Sequence, residues 1–242
     1  MFAKLEKHYH LEFLGLPGSG KASLATEVIN ILTNNGYTCH DFDDIFRRSK
    51  VPNKFSAALI YYFKNIKFLF YLLQYTLFSS SKKLASMKYN MGRLFELLKL
   101  IVVLEIRKRS IEAPSLILLD QGVMQCIWSV TSKGGKVSKD TLRKCMAIKE
   151  DIFPDVIFYI GIEPNIAVQR ISSRNSKCIF DHQTPSHNLE LFSRQELNYS
   201  DIMEVLQEVK DIDIIALDGC NAVNDNTNCI SEFINKKISK EW

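Results

Sequence analysis

Residues 11–23, Leu11-Glu12-Phe13-Leu14-Gly15-Leu16-Pro17-Gly18-Ser19-Gly20-Lys21-Ala22-Ser23, decide how this chain is read. Leu11 to Leu14 make a short apolar run of strand length. Beyond the glycines, Leu24, Ala25, Val28, Ile29, Ile31 and Leu32 recur with a helical period. The glycine-rich segment therefore joins a buried strand to a helix. Gly15, four residues, then Gly20-Lys21 is the spacing of a phosphate-binding loop, and strand–loop–helix is the context that motif needs. Gly15, Gly18 and Gly20 let the backbone turn sharply and aim N–H groups inward. The positive end of the new helix faces the same point, and Lys21 adds a point charge. Gly15, Pro17, Gly18, Ser19, Gly20, Lys21, Ala22 and Ser23 are thus expected to cradle nucleotide phosphates. The hydroxyl residue that commonly follows the lysine and reaches Mg²⁺ is displaced here: position 22 is alanine, and Ser23 comes one place later.

The remaining composition narrows the class. A chain of 242 residues has room for one large α/β domain, or for a core domain with an insert. The formal charge is a mild +4, and the basic clusters Arg47-Arg48, Lys82-Lys83 and Arg107-Lys108-Arg109 form no stripe interleaved with aromatics, so no nucleic-acid partner is implied. Six cysteines (39, 126, 145, 178, 220 and 229) lie far apart, without a C-x-x-C pair or a histidine at ligand spacing. Such thiols fit a reducing compartment better than a disulfide framework or a zinc site. With no apolar signal core in the first residues, the expectation is a cytoplasmic protein.

Strand signals recur along the chain. Asn34-Asn35-Gly36 stops the first helix, and Tyr37 to Asp41 reads as a second strand ending in acids. Ser115–Asp120 follows Pro114, Asp155–Ile160 follows Pro154, and Asp213–Asp218 is stopped by Gly219. Short, nearly continuous apolar runs separated by helical stretches are the signature of a parallel sheet covered on both faces. Ligands on such sheets bind at the carboxyl ends of the strands. Gly15, Asp41 and Asp120 lie at three of those ends.

A helical insert is expected over about residues 51–110. Its first part, Phe55 to Phe78, is apolar and aromatic, but Lys64, Asn65, Lys67 and Gln74 interrupt it, so it is too broken to span a membrane. Lys64, Lys67, Tyr71 and Gln74 share one stripe and leave a broad apolar face. That face is expected in the core; a membrane surface or a partner protein is the other reading. Ser79 to Lys83 reads as a break. Met87 to Arg109 then reads as a second helix, with Leu94, Leu97, Leu98, Ile101, Val102 and Leu104 turned to the core.

Other residues carry chemistry by position. Asp120 ends Leu116-Ile117-Leu118-Leu119, and a carboxylate beside a P-loop lysine suits Mg²⁺, which prefers hard oxygen ligands; Ser23 and Asp120 are the metal candidates. An acid at that point also serves as an ordinary helix cap. Strand alternation puts Asp41 and Asp43 on one side, where either would accept the proton of a substrate hydroxyl; alternatively Asp43 or Asp44 caps a helix starting near Ile45. Arg170 and Arg174, four apart, are expected on one helix face before a polar loop, 175–187, that holds Lys177, Asp181 and His182. Cations on a mobile lid would close over a migrating phosphoryl group. The five histidines form no metal-ligand pair.

Gly15 to Ser23, the acids after strand two, Leu118-Leu119-Asp120-Gln121-Gly122 and Glu163-Pro164…Arg170-Ile171-Ser172-Ser173-Arg174 together resemble the nucleoside-monophosphate-kinase-like group of P-loop NTPases, which includes thymidylate, adenylate and shikimate kinases. The small residue followed by a hydroxyl at positions 22 and 23 resembles adenylate-kinase-like loops. Asp120-Gln121-Gly122 departs from the Asp-Arg or Glu-Arg of familiar deoxynucleoside and thymidylate kinases. The resemblance implies a three-layer α/β sandwich with a five-stranded parallel sheet of order 2-3-1-4-5, helices on both faces and a single kinase-like domain over 1–242. It implies an acceptor module in the insert, a lid over about 165–195, and transfer of the terminal phosphoryl group of Mg²⁺-bound ATP to a small-molecule or nucleotide acceptor. Lys21, Asp41, Asp43, Arg170 and Arg174 would carry the catalysis. A nucleotide-binding regulator or ATPase-like adaptor, docking a partner or membrane through the apolar insert, stays open on the sequence.

Overall fold

The computed structural model describes residues 7–42, 44, 65–79, 84–110, 115–132, 135–174 and 184–240, with the backbone alone for 84–87, 106–110 and 238–240. Five strands, β1 (Tyr9–Gly15), β2 (Cys39–His40), β3 (Leu116–Leu119), β4 (Val156–Gly161) and β5 (Asp213–Asp218), form one sheet in the order β2-β3-β1-β4-β5. All its pairings are parallel, with Leu11 opposite both Leu118 of β3 and Val156 of β4. Between and after them run α1 (Lys21–Asn34), α2 (Ile66–Phe78), α3 (Leu84–Ser110), α4 (Val123–Thr131), α5 (Lys139–Ile148), α6 (Pro164–Ser173), α7 (Pro185–Val209) and α8 (Val223–Lys240).

The period-two alternation of the strands builds the three layers. Tyr9, Leu11 and Phe13 of β1, Leu116 and Leu118 of β3, and Val156, Phe158 and Ile160 of β4 pack with Leu24, Val28 and Leu32 of α1 and Ile230 and Ile234 of α8. Leu14, Ile117, Leu119 and Ile157 point the other way, into a larger core shared with α2 to α7. The three inner strands β1, β3 and β4 are buried on both faces, which is why the sequence shows apolar runs there and not alternation. The first helix ends as its signal predicts: Gly36 has φ 90°, and its N–H bonds to Thr33 O at 3.0 Å.

Several boundaries differ from the sequence reading. β2 is confined to Cys39–His40, because as the edge strand it pairs with β3 at Leu116 and Ile117 alone. The chain is already helical at Phe42 and Asp44, so the alternation argument that put Asp41 and Asp43 on one side fails; Asp41 instead caps that turn, accepting from Asp44 N–H at 2.6 Å. Asp43, Ile45 and the stretch 45–64 lie outside the described residues. Of the apolar helix expected to end at Phe78, α2 is the described part, and its apolar surface is divided: Phe68, Leu72 and Tyr75 are buried, whereas Ile66, Phe70, Leu73, Leu77 and Phe78 face solvent. α3 follows the expected pattern, burying Leu94, Leu97, Ile101, Val102 and Leu104 and half-burying Leu98. Among the described residues the cysteines are free, and no helix is long and apolar enough to cross a membrane.

Candidate active site

The loop between β1 and α1 has the conformation its glycines foretell. Gly18 has φ 85°, and a Cβ there would stand 2.6 Å from the carbonyl oxygen of Ala167 on α6, so the loop lies directly against the helix that carries Arg170. Gly20, at φ 96°, precedes the first turn of α1. The Lys21 ammonium folds back into the loop and donates to Gly15 O at 2.6 Å, Leu16 O at 2.9 Å and Ser19 Oγ at 3.4 Å. Burial pulls its pKa down to about 7; the Asp120 carboxyl opposes that shift and the Arg174 guanidinium adds to it. Asp120 is affected reciprocally: burial raises its pKa, and Lys21 pulls it back. Asp120 and the lysine thus sit within electrostatic reach of one another, with Ser23 exposed on the same cleft.

Two clefts open at the carboxyl edge of the sheet and share Ala22, Arg93, Asp120, Gln121 and Cys126. One, of about 570 Å³, runs from the P-loop past Arg170 and Arg174 to Tyr89 of α3 and Gln125, Trp128 and Ser132 of the α4 region. The other, of about 740 Å³, lies between α1 and α3 and is lined by Asp41, Phe42, Glu96 and Lys99 among others. Lys21, Ser23, Asp120, Asp41, Arg170 and Arg174 are therefore brought to adjoining walls of one opening. The arginines differ from expectation in one respect. Arg170 is inside α6 and donates from Nη1 to Gly219 O after β5 at 2.9 Å, while Arg174 is extended backbone just past the helix end, so the two do not share a helix face. The polar loop 175–183, with Lys177, Asp181 and His182, lies outside the described residues.

The sequence reading passed over Arg93, Glu96 and Lys99. Part of the signal was present: Tyr89, Arg93 and Glu96 recur at i, i+4 and i+7, a stripe that flanks the leucine face of α3. It also passed over a buried polar frame beneath the site. Glu12, fully buried in β1, accepts from the N–H groups of Val123 (2.7 Å) and Met124 (2.8 Å) at the start of α4, with His10 Nε2 at 2.9 Å from the same carboxyl group. Unpaired N–H groups at a helix start need such acceptors. Gly122 leaves the space for it: a Cβ there would meet the Glu12 carboxyl carbon at 2.0 Å. An acid in the middle of an apolar strand was the available clue, since a buried acid requires partners.

A parallel sheet of this order, with a P-loop after β1 and an acid after β3, defines the fold of the P-loop kinases. The sequence matches no protein-family model and no curated protein. Among solved structures, the chain is similar to deoxyadenosine kinase from M. mycoides with the products dCMP and a flexible dCDP bound, at TM-score 0.53 and 15% identity over 94% of this chain and 99% of that one. A second structure of that enzyme, with dATP bound, aligns at TM-score 0.48 and 15% identity over 94% and 100% of the two chains. At this identity the likeness is one of fold.

Proposed function

We propose that the protein is an ATP-dependent kinase that transfers the γ-phosphoryl group to a small-molecule or nucleotide acceptor. The observation that carries this reading is the shared wall of the two clefts, where Arg93, Asp120 and Gln121 stand between the P-loop on one side and Asp41 on the other. A phosphate donor and an acceptor bound in adjoining spaces react at high effective concentration.

In this reading ATP lays its phosphates in the loop of residues 15–23, and Lys21 exchanges its carbonyl partners at Gly15 and Leu16 for phosphate oxygens. The hard oxygens of Asp120 and Ser23, on one cleft with the lysine, are a donor set that fits Mg²⁺ and would hold it there. Such a metal supplies charge neutralisation on the phosphates. The acceptor occupies the cleft beside α3, with Arg93 and Lys99 available to an anionic group and the insert serving as its module. Its hydroxyl oxygen attacks the γ-phosphorus, the bond to the β,γ-bridging oxygen breaks, and ADP leaves with those electrons. The hydroxyl proton passes to the carboxylate of Asp41, or of Asp43. Arg174 lies close enough to Lys21 to meet the migrating group, and Arg170 holds the base of the lid against Gly219.

Incubation with labelled ATP and a pool of small metabolites, nucleosides and nucleoside monophosphates included, tests the proposal. ATP consumption should depend on an added acceptor, deposit label on it, and vanish in Lys21→Ala. ATP hydrolysis indifferent to every acceptor would favour the regulator or adaptor.

A further inference from the structure

Among the described residues, Ala22, Arg93, Asp120, Gln121 and Cys126 line both clefts, and Arg93 is the one cation of that set. Its side chain is half-buried, and among the described residues its guanidinium makes neither a hydrogen bond nor an ion pair. It lies instead over the ring of Tyr89, one helical turn earlier on α3, with 5.4 Å between guanidinium carbon and ring centroid. The ring is fixed in turn. The Tyr89 hydroxyl stands 3.3 Å from Ser132 Oγ, and that oxygen is buried at the end of α4, 2.7 Å from Ser129 O. The charge is felt on the wall between the clefts: burial, with Glu12 adding, pushes the Cys126 thiol up to about 12, and Arg93 pulls against them.

The other described cations of the site stand on one side only. Lys21, Arg170 and Arg174 line the P-loop cleft, and Lys99 lines the cleft beside α3. Lys21 and Arg170 are also engaged by backbone carbonyls. A group that passes from one space to the other therefore meets Arg93 on either side of the wall. We propose, resting on the kinase reading, that Arg93 is a catalytic residue that stabilises the phosphoryl group in transit, and that Tyr89 is the positioning residue that holds it there. As the bond from the γ-phosphorus to the bridging oxygen breaks and the bond to the acceptor oxygen forms, negative charge spreads over the equatorial oxygens. The Arg93 N–H groups donate to those oxygens and keep their protons, while the acceptor proton goes to the carboxylate of Asp41 or Asp43. A planar guanidinium can lie on a ring and still present its N–H groups at the edge. A carboxylate partner would hold the arginine but neutralise it; an aromatic ring holds it and leaves its charge to the phosphoryl group.

Transfer from labelled ATP by the full chain tests it, with the same pool of small metabolites as the acceptor probe. Arg93→Ala should lower the saturating rate about 10²–10³-fold, the usual cost of removing one donor to transition-state charge. Its Kd for ATP, read by calorimetry, should stay within about threefold of the wild-type value. Millimolar guanidinium, against matched sodium chloride, should restore part of the Arg93→Ala rate, a recovery that a misfolded variant would not show. Tyr89→Leu should be about two- to fivefold slower than Tyr89→Phe, which keeps the ring, and the difference should vanish in the Arg93→Ala background. Three results would overturn the proposal and leave the kinase reading in place: a rate loss below about tenfold in Arg93→Ala, a raised half-saturating pool concentration at an unchanged rate, or equal rates for the two Tyr89 variants. A loss that guanidinium does not restore would do the same. A wild-type protein that labels no member of the pool would remove both together.

Discussion

The phenol of Tyr199 donates a 2.6 Å hydrogen bond to the carbonyl of Gly15, tying α7 to the first residue of the P-loop across 184 positions of sequence. Gln125 of α4 reaches the same hydroxyl through Nε2 at 3.4 Å, and the ring lies stacked on Trp128 at 4.9 Å. Burial drives the phenol pKa well above its ordinary value, so the hydroxyl stays a neutral donor. The loop that is to hold phosphate therefore takes its position from two helices as well as from the sheet.

Tyr199→Phe keeps the stack and deletes the bond. It should cost about 1 kcal/mol of stability, the usual worth of a neutral hydrogen bond, and about fivefold in ATP affinity if the same energy holds the loop in its binding conformation. Thermal melts and calorimetric titration with ATP read the two effects separately; an unchanged affinity would confine the residue to the fold.

Lys21 supplies a pH signature. With a pKa near 7 in the free protein, it is mostly neutral at pH 8. A bound triphosphate favours the charged form and raises that pKa. ATP binding at pH 8 should therefore take up a proton, the uptake should shrink toward pH 6 where the lysine is already charged, and Lys21→Met should lack it. Calorimetry in buffers of different ionisation enthalpy measures it, and uptake that persists in Lys21→Met would place the proton elsewhere.

Glu12 and Gly122 are expected to couple. Gly122→Ala drives a methyl into the Glu12 carboxyl group and should cost about 2–4 kcal/mol, while Glu12→Ala strands two helix N–H groups at a similar cost. In the double variant the methyl enters space that the carboxyl vacated, so the combined loss should fall short of the sum by about 1 kcal/mol or more. Denaturant melts of the four proteins close the cycle. Strict additivity would mean that α4 moves aside and that the contact sets nothing.

Arg174 and Arg170 should separate in their kinetics. Arg174, beside Lys21, is placed for the transferring phosphate, where an arginine of this kind is worth about 10³–10⁵ in rate. Arg170, spent on Gly219 O, should cost far less in turnover when changed to alanine and should instead lower the melting temperature. Single-turnover rates with an identified acceptor decide; equal rate losses would return the two arginines to a shared role.

The layered sheet was legible because its evidence is local. A glycine loop, apolar runs between breakers and an acid after Leu119 each announce themselves in a few residues, and strand order follows once they resemble a known arrangement. Asp41 reaches the cleft from a helical turn and not from a strand, because two residues of edge strand cannot sustain an alternation argument. Arg93, Glu96 and Lys99 were missed because a polar helix stripe reads the same whether it faces water or a cleft. The apolar surface of α2 was read with both core and partner in view for the converse reason, since apolar periodicity reveals a face without naming its neighbour. Tyr199 gave no signal at all, its role depending on a contact between segments 184 positions apart.

Of the helices that begin at the edge where the clefts open, α1 and α4 have starts with opposite fates. The start of α1 is open, with Gly20 and Lys21 facing the P-loop cleft. The start of α4 is stoppered from below by Glu12. With the N–H groups of Val123 and Met124 engaged by a carboxyl group, this helix start has less to offer an incoming anion than that of α1. On the kinase reading the phosphates therefore take their place at the first helix and not at the second. Gln121 and Cys126, beside that start and on the wall shared by both clefts, present uncharged side chains, which on the kinase reading suits the uncharged body of an acceptor.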